Sequence, residues 1–397
     1  MNEWIDRESK VMAQTYARYP VVFVKGEGTT LIDDAGKTYT DFLSGIAVCN
    51  LGHAHPKVAE ALAEQAKTLC HVSNLFYTQP QVELAEWLTE RCFADRLFLC
   101  NSGAEANEAA IKLARKYFHD KGEERHRIIS MTRSFHGRTM ATLSATGQDK
   151  IKEGFTPLLP GFEHVTFNSM EALEEIMDES VCAVLVEPLQ GEGGVCAPDD
   201  GYLEDLRALC DHYGSLLIFD EIQTGMGRTG KLFAHQHTTV APDIMTLAKA
   251  LGNGLPIGAM LATDKVMASF GKGAHGSTFG GTPLVTAAAL AVVRCFDEEN
   301  VVEKGAEVGA YFKEALEALQ GKHTLVKDVR GMGLLLGMEI DGDGADVVKK
   351  CLEKGQVINA VQGNTLRFVP PLTITKPEID ALIVVLDEIF MEMHVDS

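Results

Sequence analysis

The chain has 397 residues, 46% hydrophobic and 23% charged, a composition typical of soluble globular proteins. Its 36 Lys and Arg against 56 Asp and Glu give a net charge of −20. Nucleic acids and anionic membranes repel such a chain, so the charge argues against both as partners. Any anionic substrate must therefore be bound by a local group of cations. The length predicts one large domain with a smaller one.

The nine cysteines show no C-x-x-C and no regular spacing, which argues against a zinc site or a disulfide framework. The pairs His53/His55 and His235/His237 have no further ligand at a useful spacing, so no metal is predicted. Reduced thiols fit a cytoplasmic protein. The acidic start MNEWIDRESK lacks the basic and apolar run of a signal peptide.

From about residue 97 to 263, short apolar runs alternate with helical patterns. Buried strands are predicted at RLFLC, RIISM, HVTF, VCAVLVEP, SLLIFD and AMLAT. Intervening helices are predicted at AEANEAAIKLARKYF, SMEALEEIMD and GYLEDLRALCDHYG, where apolar residues recur three and four apart. This alternation predicts an α/β fold with a mostly parallel sheet, whose functional loops leave the carboxyl ends of the strands.

The two ends of the chain have a different pattern. The segment VVFVKGEGTTLIDDAGKTYTDF predicts two strands of a meander. After a helical stretch over about 283–319, LVKDVRGMGLLLGMEI and TLRFVPPL are strand-like, with helices predicted near 344–355 and from 376. We therefore predict a small α+β domain built from both termini, residues 1–55 and 291–397, beside a large domain over 56–290.

The segment LFLCNSGAEANEAAIKLARK runs from a strand through Asn-Ser-Gly into a helix. Ser102 and Glu105 match the capping box S-x-x-E, and Gly103 permits a tight turn into the helix. A helix start offers free N–H groups and a partial positive charge, which suit a phosphate. An ordinary capped helix without a ligand is the alternative.

Asp220 ends the very apolar strand SLLIFD. A carboxylate at a buried strand end is costly unless it is paired, so Asp220 is predicted to meet a cation or a protonated nitrogen. The alternative is a solvated acid that caps the next turn. The following GMGRTG matches the dinucleotide pattern G-x-G-x-x-G, but KLFAHQHTTVAPD after it lacks helical periodicity, so we reject that interpretation.

Lys249 is the one charge in IMTLAKALGNGLPIGAMLAT. This run is long enough to span a membrane, but Asn253, Pro256 and three glycines interrupt it, which argues against a membrane helix. Desolvation lowers the pKa of an ammonium, and a neutral amine is a nucleophile that forms Schiff bases. The alternative is a lysine whose stem packs while its ammonium reaches water.

Seven segments follow one another across nearly the whole chain: NSGAEANEAAIKLAR, SFHGRT, VEPLQGEGG, FDEIQTGMGRTG, LAKALGNGLPIGA, HGSTFGG and LRFVPP. In order and spacing they resemble the class III aminotransferases, which are pyridoxal-phosphate enzymes. The resemblance implies the fold-type I architecture of pyridoxal-phosphate-dependent transferases, with a seven-stranded, mostly parallel sheet in the large domain. It also implies a homodimer with shared active sites.

The resemblance implies a cofactor role for each matching residue. Lys249 would hold pyridoxal 5'-phosphate covalently, Asp220 would pair with its protonated ring nitrogen, and Gln223 would contact its phenolic oxygen. Phe135 would stack on the ring. The phosphate would be bound by four residues, the last of them from the other subunit: Ser102, Gly103, Ala104 and Thr278.

Four further matching residues would contact the substrates: Arg138, Glu192, Ser277 and Arg367. Arg138 would bind the carboxylate of the acetylated substrate. Arg367 would bind the α-carboxylate of glutamate or 2-oxoglutarate, with Glu192 as a removable partner. A dual-substrate device of this kind disfavours two one-substrate alternatives on the same fold, an aminomutase and a decarboxylase.

The segments FLSGIAVCNLGHAHP and HVSNLFYTQPQ are most similar to the members of the class that act on N-acetylornithine. The implied reaction exchanges amino groups between N-acetyl-L-ornithine and 2-oxoglutarate. Related ornithine enzymes carry an aromatic residue where this chain has Ile46, which weighs against free ornithine. Succinylornithine and 4-aminobutyrate stay open as amino donors. A noncatalytic ligand-binding protein, which would hold no covalent cofactor, is the remaining alternative.

Overall fold

The computed structural model describes residues 2–395. Met1, Asp396 and Ser397, which belong to the predicted terminal domain, lie outside the described residues. The strands β1 to β15 are, in order, Phe23–Glu27, Thr30–Asp33, Thr38–Asp41, Arg96–Cys100, Arg127–Met131, Phe162–Val165, Val181–Val186, Leu216–Asp220, Ile244–Leu247, Gly258–Ala262, Val326–Met332, Leu335–Ile340, Gln356–Val357, Asn359–Val361 and Thr365–Phe368. The helices α1 to α13 are Glu3–Val11, Ser44–Ala47, Pro56–Thr68, Gln79–Thr89, Gly103–Asp120, Met140–Ala145, Met170–Ile176, Tyr202–Tyr213, Asp264–Met267, Pro283–Glu299, Val301–Lys322, Gly344–Glu353 and Lys376–Val395.

A seven-stranded sheet in the order β4-β10-β9-β8-β7-β5-β6 forms the centre of the molecule. The strands from β9 to β6 are parallel, while β10 is antiparallel to both of its neighbours. Strands β7 and β8 are buried along their whole length, as expected for parallel strands covered on both faces. The predicted α/β fold with a mostly parallel seven-stranded sheet is confirmed.

Helices cover both faces of this sheet because successive side chains of its strands point to opposite sides. Ile128, Ala183 and Leu185 pack on one side against α5, which presents buried alanines and permits a close approach. On the other side, Ile129 and Val184 pack against α7 and α8. The strand ends between these layers are consequently held by packing from above and below.

The run around Lys249 is a strand, a turn and a second strand. Strand β9 precedes Lys249, a 3-10 turn over Lys249–Gly252 follows, and β10 returns antiparallel. The sequence analysis missed β9, because four apolar residues are too few to separate a strand from a loop by periodicity. The structure thereby places Lys249 at the carboxyl end of a central strand.

Two four-stranded sheets flank the central one. The first has the order β1-β2-β3-β13, so one strand from near residue 356 joins three from the N-terminal region, and the predicted two-stranded meander has a third strand. The second, β11-β12-β15-β14, is antiparallel and comes wholly from the C-terminal region.

The domain boundaries near residues 55 and 290 stay a prediction, and the second of them falls inside α10. The helical stretch expected over about 283–319 is present, and it consists of two helices, α10 and α11, that are divided at Asn300, whose φ of 50° is left-handed. Within residues 2–395, the structure has no helix both long and apolar enough to cross a membrane.

Candidate active site

A cavity of about 480 Å³ opens at the carboxyl ends of the parallel strands, where α/β proteins bind ligands. Its wall brings together segments that are far apart in the chain, from Val48 to Ile257. Nine of the twelve predicted site residues line it: Ser102, Gly103, Ala104, Phe135, Arg138, Glu192, Asp220, Gln223 and Lys249.

Asp220 ends β8 with its side chain buried in a network of hydrogen bonds. Its Oδ2 accepts from Asn107 Nδ2 at 2.8 Å and lies 2.7 Å from His136 Nδ1. Its Oδ1 accepts from the backbone N–H of Ile222 at 3.1 Å. Thr246 donates to Asn107 Oδ1 and fixes the orientation of that amide. A carboxylate with three donors stays oriented in a buried setting.

Lys249 begins the turn after β9 and enters the same cavity. Its φ is 43°, a left-handed conformation that non-glycine residues adopt mainly where the surroundings enforce it. Burial lowers the pKa of the Lys249 ammonium, Arg367 adds to this effect, and Glu192 is the strongest opposing group. The site therefore favours a neutral, nucleophilic amine.

Helix α5 points its N-terminus at the cavity. Ser102 caps the helix and accepts from Glu105 N at 3.2 Å, and Glu105 Oε2 accepts from Asn101 N at 2.5 Å. A Cβ at Gly103 would lie 2.7 Å from Ile222 Cδ1, so this position excludes a side chain. The free N–H groups of the first turn and the positive end of the helix dipole suit a phosphate group.

Glu187 forms hydrogen bonds to two separate backbone segments near the cavity. Its carboxylate accepts from Phe135 N at 3.1 Å and from Gly191 N at 3.3 Å. Burial raises the pKa of Glu187 to about 7 against the opposing influence of His136. The guanidinium of Arg138 lies 5.7 Å from the centre of the Phe135 ring, within reach of a cation–π contact. The aromatic ring and the cation therefore share one wall.

Glu192 lines the cavity and forms an ion pair with Arg367, which lies just behind the lining. Arg367 lies on β15, is fully buried, and also donates to Asn359 Oδ1 at 3.2 Å and to Gln223 Oε1 at 3.4 Å. Burial alone would raise the pKa of Glu192, but Arg367 and Lys249 outweigh burial and hold it below its usual value. The carboxylate therefore stays ionised beside the guanidinium.

Ser277 and Thr278 are placed differently from the other predicted residues. Ser277 Oγ accepts from Asn101 Nδ2 at 3.1 Å and so contacts the edge of the cavity. Thr278 lies instead in a small surface depression together with His71 and Phe76. Within one chain, Thr278 does not reach the cavity.

Sequence reasoning missed His136, Asn107 and Glu187 as members of the site. His136 lies in the quoted SFHGRT, Asn107 in the helix after Ser102, and Glu187 in VEPLQGEGG. The signal for the first two is geometric, since both bind the Asp220 carboxylate across distances of 84 and 113 residues. No periodicity encodes such separations.

One group of potential metal ligands occurs in the described part of the chain, comprising His55, Cys295 and Glu299. It lies outside the cavity lining, and Lys57 Nζ donates to Glu299 Oε1 at 2.7 Å. An ammonium on the carboxylate competes with a cation for the same oxygens. We assign no metal to this group.

Known proteins with this sequence pattern and fold are numerous. The family model "Aminotransferase class-III" matches residues 11–390. The acetylornithine aminotransferase of Methanocaldococcus jannaschii is 52% identical, over 98% of each chain. That of Caldanaerobacter subterraneus subsp. tengcongensis is 50% identical, over 98% of this chain and 100% of its own.

Solved structures agree with the family match. The ornithine aminotransferase from Toxoplasma gondii ME49 has a TM-score of 0.95 at 37% identity, covering 99% of this chain and 96% of its own. The acetylornithine aminotransferase from Elizabethkingia anophelis has a TM-score of 0.88 at 36% identity, covering 98% of each chain. With the whole fold and nearly the whole sequence matched, this chain belongs to the class III aminotransferases.

Proposed function

We propose that the chain transfers the amino group of N-acetyl-L-ornithine to 2-oxoglutarate, giving N-acetyl-L-glutamate 5-semialdehyde and L-glutamate, with pyridoxal 5'-phosphate as cofactor. The observation that carries the proposal is the cavity itself, where the Lys249 amine and the Asp220 carboxylate face the Glu192–Arg367 ion pair. The names of the most similar relatives support the same reaction.

The residues present fit the cofactor. Gly103, which has no room for a Cβ, and the α5 N-terminus with Ser102 and Ala104 would receive the phosphate. Asp220 would face the ring nitrogen and Phe135 the ring. Gln223, buried beside Glu192, would contact the phenolic oxygen. When bound, this cofactor acts as an electron sink for the carbon from which a proton is removed.

Lys249 has two tasks in the proposed reaction. Its neutral amine holds the cofactor covalently, which requires the lowered pKa that burial produces. When its amine is free, Lys249 Nζ would accept the proton from the carbon that bears the substrate's amino group and later return a proton. Positioned acid–base groups of this kind contribute about a hundred- to ten-thousandfold in rate.

Asp220 would keep the ring nitrogen of the cofactor protonated, because a nearby carboxylate favours the charged form of that nitrogen. His136 and Asn107 hold the carboxylate in place through Oδ2. They act as positioning residues, because these two hydrogen bonds keep the Asp220 carboxylate from rotating toward another partner. Oδ1 is also held, by the backbone of Ile222.

The two substrates present their reacting amines differently. N-acetylornithine reacts through its δ-amine and glutamate through its α-amine, so their carboxylates lie at different distances from the reacting carbon. In this proposal Arg138 binds the first carboxylate and Arg367 binds the second. Glu192 neutralises Arg367 until glutamate or 2-oxoglutarate replaces it, so the first substrate is not drawn to the wrong arginine.

Ile46 supports the choice of an acetylated donor over free ornithine. It is 40% exposed and lies two residues before Val48, which lines the cavity. An isoleucine offers no hydrogen bond to the α-ammonium of ornithine, whereas the acetylated amine carries no charge there. Succinylornithine and 4-aminobutyrate are the competing donors.

Single-turnover rates with the four donors N-acetylornithine, succinylornithine, ornithine and 4-aminobutyrate test the proposal. We expect N-acetylornithine to react fastest. A preference for 4-aminobutyrate would overturn the choice of donor. A purified protein that binds no pyridoxal phosphate at Lys249, as read by mass spectrometry after borohydride reduction, would overturn the reaction class.

We further propose a homodimer that completes the phosphate site. Thr278 lies outside its own chain's cavity, in a depression that it shares with Phe76. Large apolar side chains next to these two residues in the sequence are exposed: Leu75 by 83%, Tyr77 by 98% and Phe279 by 62%. Mixed dimers of Lys249→Ala and Thr278→Ala chains test this arrangement. Each parent should be impaired, and the mixture should regain activity because one of its two sites is intact. No recovery would contradict sharing.

A cytoplasmic location belongs to the same proposal. All nine cysteines are free thiols in the structure, which suits a reducing compartment. Fractionation of cells that express the full chain checks this directly.

A further inference from the structure

Helix α2, residues 44–47, is a single turn of the left-handed kind. Its four residues have positive φ values: Ser44 47°, Gly45 66°, Ile46 67° and Ala47 58°. Glycine adopts these angles freely, but the other three residues meet a steric penalty, which is greatest for the β-branched Ile46. Strain of this kind persists only where the surroundings enforce it, and it concentrates at functional sites. Val48, which follows the turn directly, lines the active-site cavity.

The carboxylate of Asp41 holds the start of this left-handed turn. Asp41 is buried, and its Oδ1 accepts from the backbone N–H groups of Leu43 and Ser44, each at 2.8 Å. Its Oδ2 lies 2.7 Å from His53 Nε2, so both oxygens are engaged and the carboxylate keeps one orientation. The first hydrogen bond within the turn itself comes from Ile46 N, which donates to Leu43 O at 2.8 Å. Asp41 therefore satisfies two donors that precede the turn's own hydrogen bonds.

Ser44 joins the turn to the segment that follows Arg367. Its side chain is fully buried, and its Oγ donates to Val369 O at 2.6 Å. Ala47, at the other end of the turn, is 1% exposed and belongs to the same small hydrophobic cluster as Val369. Both ends of the turn are thus held against the chain that leaves β15.

Arg228 connects the same segments from the interior. It is fully buried, and its Nη1 donates to Leu334 O at 3.0 Å and to Pro370 O at 2.5 Å. Its Nη2 donates to Asn50 Oδ1 and, at 3.5 Å, to Ser44 Oγ. One guanidinium therefore contacts the chain on both sides of the turn and the segment that follows β15.

We propose that Asp41, Ser44 and Arg228 are positioning residues that keep the turn left-handed and thereby set which amino donor the cavity accepts. The inference rests on the proposed function, in which Ile46 disfavours free ornithine. If the turn relaxes toward a right-handed conformation, the side chains of Ile46 and Val48 change direction. Water or a backbone carbonyl can then meet the α-ammonium of ornithine, and the selection against this donor is lost.

Arg367 does not depend on these contacts. Its strand, β15, pairs with β12 on one side and with β14 on the other, and its side chain is held by Glu192 and Asn359. Loosening the turn should therefore change the reaction of the amino donor and spare that of glutamate. A general loss of folded protein would slow both.

Ser44→Ala tests the inference in the holoenzyme, because it removes the hydrogen bond to Val369 and adds no bulk. The ratio of kcat/KM for N-acetylornithine to kcat/KM for ornithine should fall about fivefold, as expected for one neutral hydrogen bond. The value of kcat/KM for glutamate should stay within about twofold of wild type. An unchanged ratio, or an equal loss with glutamate, would overturn the proposal.

A second substitution separates backbone strain from other effects of Ser44→Ala. Glycine adopts the φ of 58° at position 47 without penalty, so Ser44→Ala/Ala47→Gly should bring the ratio back to within about twofold of wild type. Ser44→Ala/Ala54→Gly is the matched control, because the exposed Ala54 has a left-handed φ of 49° but lies outside the turn. Recovery in both double variants, or in neither, would overturn the proposal.

Asp41→Asn and Asp41→Ala give an independent pair if Ser44→Ala does not fold. Asparagine keeps an Oδ1 that accepts from the two N–H groups, so it should preserve the ratio, whereas alanine should lower it. Equal ratios in these two variants would overturn the role of Asp41. The ranking of donors by the wild-type enzyme decides the proposed function separately, since the inference is decided by how the ratio changes between variants.

Discussion

Two regions meet at the cavity, and they are constructed differently. Asp220 and Lys249 lie at the ends of two adjacent strands in one sheet, β8 and β9. The buried side chains of Asn107 and His136 form hydrogen bonds to the Asp220 carboxylate. Glu192 lies in the loop after β7, whereas Arg367 lies on β15 in another sheet. The Glu192–Arg367 ion pair, a contact of Arg367 to Gln223 and contacts from Gln362 and Arg330 to backbone carbonyls of this loop bridge that boundary.

The difference separates chemistry from selectivity. Groups that must keep one geometry through both half-reactions are fixed by neighbouring strands and by packing. The pair that must change between substrates spans two sheets, where parting one ion pair frees Arg367 while its own strand stays intact. Variants of Asp220 or Lys249, at the carboxyl ends of the central strands, should therefore slow both half-reactions. Variants of the Glu192–Arg367 ion pair should slow one half-reaction more than the other.

Lys249→Ala should have the largest effect, because it removes both the covalent anchor and the proton-transferring amine. We expect both half-reactions to slow by at least a hundred- to ten-thousandfold. Stopped-flow measurement of each half-reaction checks this, with the exposed Lys265→Ala as control. Retention of more than a hundredth of the wild-type rate would contradict the assigned role.

Glu187→Gln should change the pH dependence of stability. The folded carboxyl stays protonated up to its pKa of about 7, while in the unfolded chain it ionises near the usual 4.5. Unfolding releases a proton between these values, so wild-type stability falls as pH rises through this window. Relative to the variant, the loss should reach at most about 3 kcal/mol.

Chemical denaturation of the cofactor-free proteins at pH 4.5 to 7.5 measures this loss. The exposed Glu171→Gln serves as the matched control and should follow wild type. If the Glu187→Gln and wild-type curves remain parallel, the carboxyl is ionised in the folded protein.

Arg367→Lys tests the ion-pair region rather than the strand ends. Lysine keeps the charge but loses the planar fork that binds a carboxylate through two hydrogen bonds. The half-reaction of glutamate should lose about 2 to 3 kcal/mol, roughly 30- to 150-fold in kcat/KM, and that of N-acetylornithine much less. The exposed Arg294→Lys, whose ion-pair partner is Glu83, is the control. Equal losses in both half-reactions would remove the distinction between the regions.

Glu192→Ala should have the smallest effect and the opposite preference. An unneutralised Arg367 attracts the carboxylate of N-acetylornithine and places the wrong amine near the reacting carbon. The rate with N-acetylornithine should fall about tenfold relative to the rate with glutamate, which corresponds to the loss of one charge-assisted contact. Glu192→Gln keeps the shape and should behave alike. An unchanged ratio would contradict the gate.

Much of this architecture could be predicted because local patterns encode it. The strands RIISM, VCAVLVEP and SLLIFD and the helix after Ser102 lie where apolar periodicity and the capping residues indicated. The short β9 and the division at Asn300 were not predicted. A four-residue strand has too little periodicity, and one left-handed residue between two helical patterns leaves no gap in either.

The sequence by itself determined the central sheet, the family and the choice of Lys249 and Asp220, because strand ends and isolated charges in apolar runs are visible along the chain. Tertiary structure alone decided that His136 and Asn107 hold Asp220 and that Glu192 touches Arg367. The physical reason is distance along the chain. Hydrogen bonds and ion pairs act over a few ångströms, and only folding brings residues that far apart in sequence within that range.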